Sequence, residues 1–255
     1  MIWSAHLSTL FQELSYLERP EAAARAGFSS VETWWPPDGL AEQWADEVAR
    51  QSLSVSCINA YGGNLEAGER GFLNVPERRA QVLDAIREAV ALAQRCGAPR
   101  INVLVGRETP GKPRDEQLAD AAVALAQCVA LAEDAQLTIL VEPINELDAP
   151  GYLVPTPAAA VELIDAVGSS RVRLLYDAYH AARARLDPCR DVASLVPVID
   201  HVQYADCPGR GPPGSGKIDL RAFVDALEHA SYKGAIGFEF DLHGPTQDAL
   251  SFFEW

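Results

Sequence analysis

Positive charge is scarce in this sequence. Its 21 Lys and Arg stand against 36 Asp and Glu, a formal net charge of −15. Nucleic-acid surfaces depend on clustered cations that neutralise phosphates, so no nucleic-acid partner is expected. Cysteine is sparse and unpatterned: Cys57, Cys96, Cys128, Cys189 and Cys207 are odd in number and include no C-x-x-C pair. That excludes a disulfide framework or a thiolate zinc site and fits free thiols in a reducing cytoplasm, the expected location. Met1-Ile2-Trp3-Ser4-Ala5-His6 lacks a basic stretch leading into a long apolar one, so no signal peptide is read there. No apolar run reaches membrane-spanning length, and no membrane partner is expected. Low-complexity and disorder-prone segments are also missing.

What is present is alternation. Short β-branched or apolar runs are followed repeatedly by longer segments of helical period. Strands are expected at Ile2–His6, Ser30–Thr33, Ser54–Asn59, Arg100–Leu104, Leu137–Glu142, Val172–Asp177, His201–Ala205 and Ala235–Glu239. Helical segments are expected near Pro20–Ala26, Ala41–Gln51, Pro76–Cys96, Asp115–Asp134, Pro157–Val167, Asp191–Val196, Leu220–His229 and Thr246–Phe253. In the third, Val82, Ile86, Ala89, Val90 and Ala93 form one apolar face, Pro76 suits the first turn, and Gly97 can close the end. Eight β-α units in 255 residues read as one domain, a single (β/α)8 barrel of the α/β class. The competing open, doubly wound sheet would ordinarily carry a glycine-rich turn after its first strand, and none stands there. The longest irregular stretches follow the third, fourth, fifth and seventh strands, on the face where barrels build active sites.

Four polar residues end late strands: Glu142, Asp177, Gln203 and Glu239. An acid closing an apolar strand is costly unless it meets solvent or a cation. On a barrel these four converge on one mouth, where three carboxylates and an amide oxygen make a hard, all-oxygen site. Such a site suits one divalent metal ion, Mg²⁺ or Mn²⁺. His180, three residues beyond Asp177, is placed to donate a hydrogen bond to a substrate hydroxyl. Arg70 and Arg210 fall in mouth loops and suit a substrate carboxylate. His6 and Glu32 end the first two strands and are read as partners of the ligands, with Trp34 and Trp35 as candidate pocket walls. Gly211-Pro212-Pro213-Gly214-Ser215-Gly216-Lys217 has the spacing of a phosphate-binding loop. Ile218 stands where a hydroxyl should bind Mg²⁺, and two prolines remove N–H donors, so a glycine-rich loop supporting Arg210 is read instead.

Several ordered segments carry a family resemblance. They are Val141-Glu142-Pro143-Ile144-Asn145 with Pro150-Gly151-Tyr152, Tyr176-Asp177-Ala178-Tyr179-His180, His201-Val202-Gln203-Tyr204-Ala205-Asp206, and Pro208-Gly209-Arg210 with Pro213-Gly214-Ser215-Gly216. Ala67-Gly68-Glu69-Arg70-Gly71, preceded by Asn59 at the matching spacing, adds another. Together they resemble the hydroxypyruvate isomerase family, among the xylose-isomerase-like TIM barrels. The resemblance implies the same four metal ligands, adds Glu142 and Glu239 as an acid/base pair, and places Asn59 with the substrate. It implies interconversion of hydroxypyruvate and tartronate semialdehyde, or of a close 2-keto-hydroxy acid, through an enediolate that a divalent cation stabilises. Departures at Pro212, Lys217 and Ala182 leave the ligand set intact and put the substrate in question.

Three alternatives use the same scaffold. A ketose 3-epimerase acting on a sugar would ordinarily carry His in place of Gln203. A metal-dependent endonuclease would need more histidine ligands, and this chain has five histidines in all. A non-catalytic binding barrel would have lost a member of the glutamate pair. The partner expected is therefore a small hydroxy-keto acid or sugar, with a homo-oligomer left open.

Overall fold

The computed structural model describes residues 1–250, in which eight parallel strands close into a barrel, each pairing with its successor and β8 with β1. In chain order the elements are β1 (Ile2–His6), α1 (Arg19–Arg25), β2 (Ser30–Thr33), α2 (Ala41–Arg50), β3 (Ser54–Asn59), α3 (Arg79–Cys96), β4 (Arg100–Asn102) and α4 (Arg114–Ala132). Then come β5 (Thr138–Val141), α5 (Pro157–Val167), β6 (Val172–Asp177), α6 (Ala178–Arg183), α7 (Pro188–Leu195), β7 (Ile199–Tyr204), α8 (Leu220–His229) and β8 (Ala235–Phe238). The barrel expected from the alternation is the one observed, and the open-sheet alternative is overturned by the β1–β8 pairing.

Side-chain alternation along the strands separates two environments. On β7, Tyr204 packs against Phe223 of α8 and Phe238 of β8, with ring centres 5.8 and 6.2 Å apart. Its strand neighbours His201 and Gln203 turn inward instead, where both meet Glu32 from β2. Helix ends follow local chemistry. Gly97, at φ +70°, closes α3 by donating to Ala93, and Thr156 caps α5 by accepting from the Ala159 N–H.

Several elements differ from the sequence reading, among them α7 and β7, which begin three and two residues earlier than expected. The segment from Pro76 begins as a single 3₁₀ turn, Pro76–Arg78, before α3 proper. β4 ends at Asn102, because the chain beyond it turns to bridge other loops. The helix expected over 246–253 is a 3₁₀ turn at Thr246–Ala249, and the rest of that expectation falls largely outside the described residues. Finally, α6 is an additional helix of six residues, too short to display an apolar period.

The mouth loops are tied to one another. Gly71 and Phe72 bridge Val105 and Gly106, Arg107 bridges Tyr152, and Asp206 bridges Gly211. Gly71 is required there: its φ is +88°, and a Cβ would lie 1.9 Å from the Leu104 carbonyl oxygen. These ties fix the loop carrying Arg70 over the strand ends.

Candidate active site

Glu142 follows β5, Asp177 ends β6, Gln203 lies near the end of β7, and Glu239 follows β8. All four are at most 5 % exposed. Adjacent strands set their spacing: Asp177 pairs in register with Gln203, and Gln203 with Gly237, two residues before Glu239. Acids this deep must be neutralised, protonated or bonded.

Asp177 is partly satisfied by its own chain. One carboxylate oxygen, Oδ1, accepts from the N–H groups of Tyr179 (2.7 Å) and His180 (3.2 Å), capping α6. The other, Oδ2, is buried with no hydrogen-bond partner. Gln203 shows the same division. Its Nε2 donates to Glu32 Oε1 at 2.8 Å, while Oε1 is buried and unpartnered. Glu142 accepts from Asn102 Nδ2 at 2.7 Å through Oε2, which leaves Oε1 facing His180 Nε2 at 3.7 Å. Unpaired buried acceptors on two neighbouring strands, beside the Glu142 carboxylate, are what a hard cation would satisfy, so the donor set fits a divalent ion. Glu142, Asp177 and His180 each bring a possible ligand atom within 4.8 Å of the others, a group of the kind that could hold a metal. The hydrogen bond of Asn145 to the His180 ring, however, makes the histidine a donor and leaves the carboxylates as the ligands.

Electrostatics agree with that crowding. Burial, then the Asp177 charge, pushes the Glu142 carboxyl up to about 7. Burial also drives Glu239 well above the usual carboxylate range. Arg210, whose Nη2 lies 2.5 Å from Glu239 Oε1, opposes the shift, and Glu142 and Asp177 add to it. Burial lowers His180 to about 4 and His6 to about 4, so both rings are neutral near pH 7.

The neutral His180 ring has an assignable tautomer. The Asn145 Oδ1 accepts from the N–H groups of Leu147 (3.0 Å) and Asp148 (3.1 Å), so its amide nitrogen is the atom turned to the ring. That nitrogen donates to His180 Nδ1 at 2.7 Å and to Asp148 at 2.9 Å. The ring proton therefore sits on Nε2, aimed at the carboxylates and the cavity.

Glu32 and His6 lie at different depths. Glu32 accepts from His201 Nε2 (2.7 Å), Ser56 Oγ (2.8 Å) and Gln203 Nε2. Although burial opposes it, the His201 contact and these hydrogen bonds hold its carboxyl below the ordinary value. Gly237 makes the arrangement possible, since a Cβ there would sit 2.1 Å from Glu32 Oε1. His6 Nε2 lies 3.8 Å from Glu239 Oε2, and Trp34 packs edge-on to its ring at 5.5 Å.

A cavity of about 140 Å³ brings many of these groups together: Glu142, Glu239, His180, Arg70, Arg210 and Asn59 all line it. Trp34 also forms part of its wall, whereas Trp35 lines an adjoining cavity. Asp177, Gln203, Glu32 and His6 lie outside this lining, behind the groups that face the cavity. Arg70 donates to the carbonyls of Leu65 and Glu69, and among the described residues no carboxylate lies within 4.0 Å of it. Burial lowers its pKa, and the charges of Arg107 and Arg210 add to the shift.

Arg210 owes its position to the glycine-rich loop, which closes on Asp206 and not on a phosphate. Asp206 accepts from the N–H groups of Cys207 (2.8 Å), Gly214 (3.0 Å), Gly216 (2.7 Å) and Ile218 (2.9 Å). An anion nest is thus filled by the chain's own carboxylate. Asn102, Asn145 and Asp206 have structural parts in the site that strand-end reasoning passed over. Asn102 falls inside the strand expected over Arg100–Leu104 and becomes a strand end only in the structure; Asn145 and Asp206 work through loop turns that leave no periodic trace.

Residues 20–254 match the family described as xylose isomerase-like TIM barrel. The chain is 32 % identical to hydroxypyruvate isomerase of Escherichia coli, across 99 % of this chain and 98 % of that protein. It is 29 % identical to 2-oxo-tetronate isomerase of Pectobacterium atrosepticum, across 99 % and 96 %. The crystal structure of a family 2 AP endonuclease from Brucella melitensis superposes with a TM-score of 0.94 at 30 % identity, covering 99 % of this chain and 98 % of that one. Among the described residues no helix is long and apolar enough to cross a membrane. The barrel, the ordered motifs and full-length similarity together show that this chain belongs to the hydroxypyruvate isomerase family, within the xylose isomerase-like TIM barrels.

Proposed function

We propose that this protein interconverts hydroxypyruvate and tartronate semialdehyde, or a close 2-keto-hydroxy acid such as a 2-oxo-tetronate, by proton transfer between two glutamates. The observation that carries the reading is one cavity lined by two buried carboxylates, Glu142 and Glu239, and two cations, Arg70 and Arg210. Arg70, free of a carboxylate partner, binds the substrate carboxylate, and Arg210 adds positive charge while gripping Glu239.

The reaction moves one carbon-bound proton from C3 to C2 and one oxygen-bound proton from O3 to O2. One glutamate takes the proton from C3 and the other returns a proton to C2, roles open to carboxyls that burial raises above their ordinary value. His180 donates through Nε2 to a substrate oxygen, with Asn145 holding the ring. Glu142, Asp177, Gln203 and Glu239 would hold one divalent ion, Mg²⁺ or Mn²⁺, which when bound supplies charge to stabilise the enediolate oxygens.

The reading is tested with protein stripped by a chelator and dialysed. Hydroxypyruvate followed by NMR should give the aldehyde isomer only after Mg²⁺ or Mn²⁺ is restored. Failure of both ions to support conversion of hydroxypyruvate and of the four-carbon acids would reject it.

A further inference from the structure

The catalytic cavity does not end at its own wall. It shares Trp34, Asn59, Leu65 and Leu104 with a second, open cavity of about 520 Å³, formed by the loops after β2 and β3. A three-carbon acid is small against the sum of the two. The lining of the outer cavity is also chemically distinct. Trp34, Trp35, Tyr61, Asp38, Glu66 and Asn64 are among its lining residues, with no Lys or Arg.

That combination suits one kind of group. A polyol chain offers C–H edges that pack on flat aromatic faces, and hydroxyls that donate to carboxylate and amide oxygens. A second carboxylate or a phosphate would meet Asp38 and Glu66 without a cation to offset them. Cations therefore stand at one end only of the combined groove: Arg70 and Arg210 line the inner cavity beside Glu142, Asp148 and Glu239, whereas the outer cavity has acids without a cation. A ligand lying in it is anionic at one end and neutral at the other.

We infer that the outer cavity is a subsite for an uncharged, hydroxylated tail, so that acids longer than three carbons, lacking a terminal phosphate, are the better substrates. This rests on the proposed reaction for the identity of the inner group, but tail binding can be measured without any turnover. Remote contacts of this kind raise the efficiency of the chemical step when their binding is felt in the transition state.

The test uses acids with no keto group, which cannot isomerise, titrated calorimetrically into Mn²⁺-loaded protein: glycerate, gluconate and 6-phosphogluconate. Gluconate should bind about tenfold more tightly than glycerate, and 6-phosphogluconate more weakly than gluconate. Tyr61→Ala should cut the gluconate-to-glycerate affinity ratio by about fivefold or more, and Trp35→Ala should act in the same direction. Tyr61 is 42 % exposed, so its truncation removes little core packing. Glu66→Lys should improve 6-phosphogluconate relative to gluconate. Equal affinities for glycerate and gluconate in the unaltered protein, or a ratio that neither ring substitution changes, would overturn the subsite. Either result leaves the proposed reaction standing if hydroxypyruvate still isomerises. Conversely, tail preference in a protein that isomerises none of the acids would support the subsite and reject the reaction.

Discussion

Glu142 and Glu239 are alike in type and differ in surroundings. Asn102 and Asp177 bracket the first, and Arg210 grips the second. Replacing either by Gln keeps size and hydrogen-bonding capacity but removes the proton acceptor. Each change should lower deuterium exchange into hydroxypyruvate by at least ~100-fold, with circular dichroism unchanged. Normal turnover in either variant would remove it from the proton-transfer pair. Glu32 calls for a subtler test, because it touches Gln203 and not the cavity. By accepting from Gln203 Nε2 it fixes which end of that amide faces the other ligands. Glu32→Gln should therefore weaken Mn²⁺ binding by roughly 10–100-fold. The same substitution made on top of Gln203→Ala should cost far less, since the group it positions is gone. Additive losses would mean that Glu32 acts elsewhere. Glu32 and Gln203 are each legible in the sequence as polar strand ends. Their contact is not, because it crosses the barrel between β2 and β7 and depends on the missing Cβ of Gly237.

Loops show where pattern reading stops. The stretch from Gly211 to Lys217 carries phosphate-loop spacing, yet its amides turn toward Asp206. The residue substitutions argue against a phosphate; the internal acceptor is visible only in three dimensions. Asp206→Ala would leave four N–H groups without their acceptor, and Arg210 would lose the frame that aims it. The expected outcome is a KM for hydroxypyruvate raised roughly tenfold or more, with Mn²⁺ affinity changed less than about threefold. A matched loss of both would show that the loop supports the ligands as well as the substrate. The short helix α6 teaches a similar lesson. Its six residues have no readable period, but Asp177 caps it, and that cap carries His180 to the cavity. The Asp-x-x-His spacing is visible in the chain, whereas the helix that gives the spacing its geometry is not.

Eight alternating units are enough to read the barrel, because parallel strands joined by helices of this length have few other ways to bury both faces. Strand ends then bring distant residues together, and so the acids collect at one mouth. Their collection has a cost that depends on pH. Without metal, Glu142 titrates near 7 instead of 4.5. A raised carboxyl favours the folded state most below the unfolded value, and that contribution is lost as pH rises through about 7. Metal binding needs the ionised form, so apparent Mn²⁺ affinity should fall as pH drops below about 7, by up to roughly tenfold per pH unit for each proton displaced. Thermal melts should show the metal-free protein losing stability between pH 5 and 8 and added Mn²⁺ restoring it. Affinity that is flat across that range would contradict the buried, protonated site. The most direct measurement is NMR of hydroxypyruvate incubated in D₂O with the Mn²⁺-reconstituted protein. Solvent deuterium should appear at C2 of the aldehyde isomer and at C3 of recovered hydroxypyruvate, and Glu142→Gln should abolish both. Isomer that forms with its original carbon-bound hydrogen retained, or no isomer at all, would contradict proton transfer between Glu142 and Glu239.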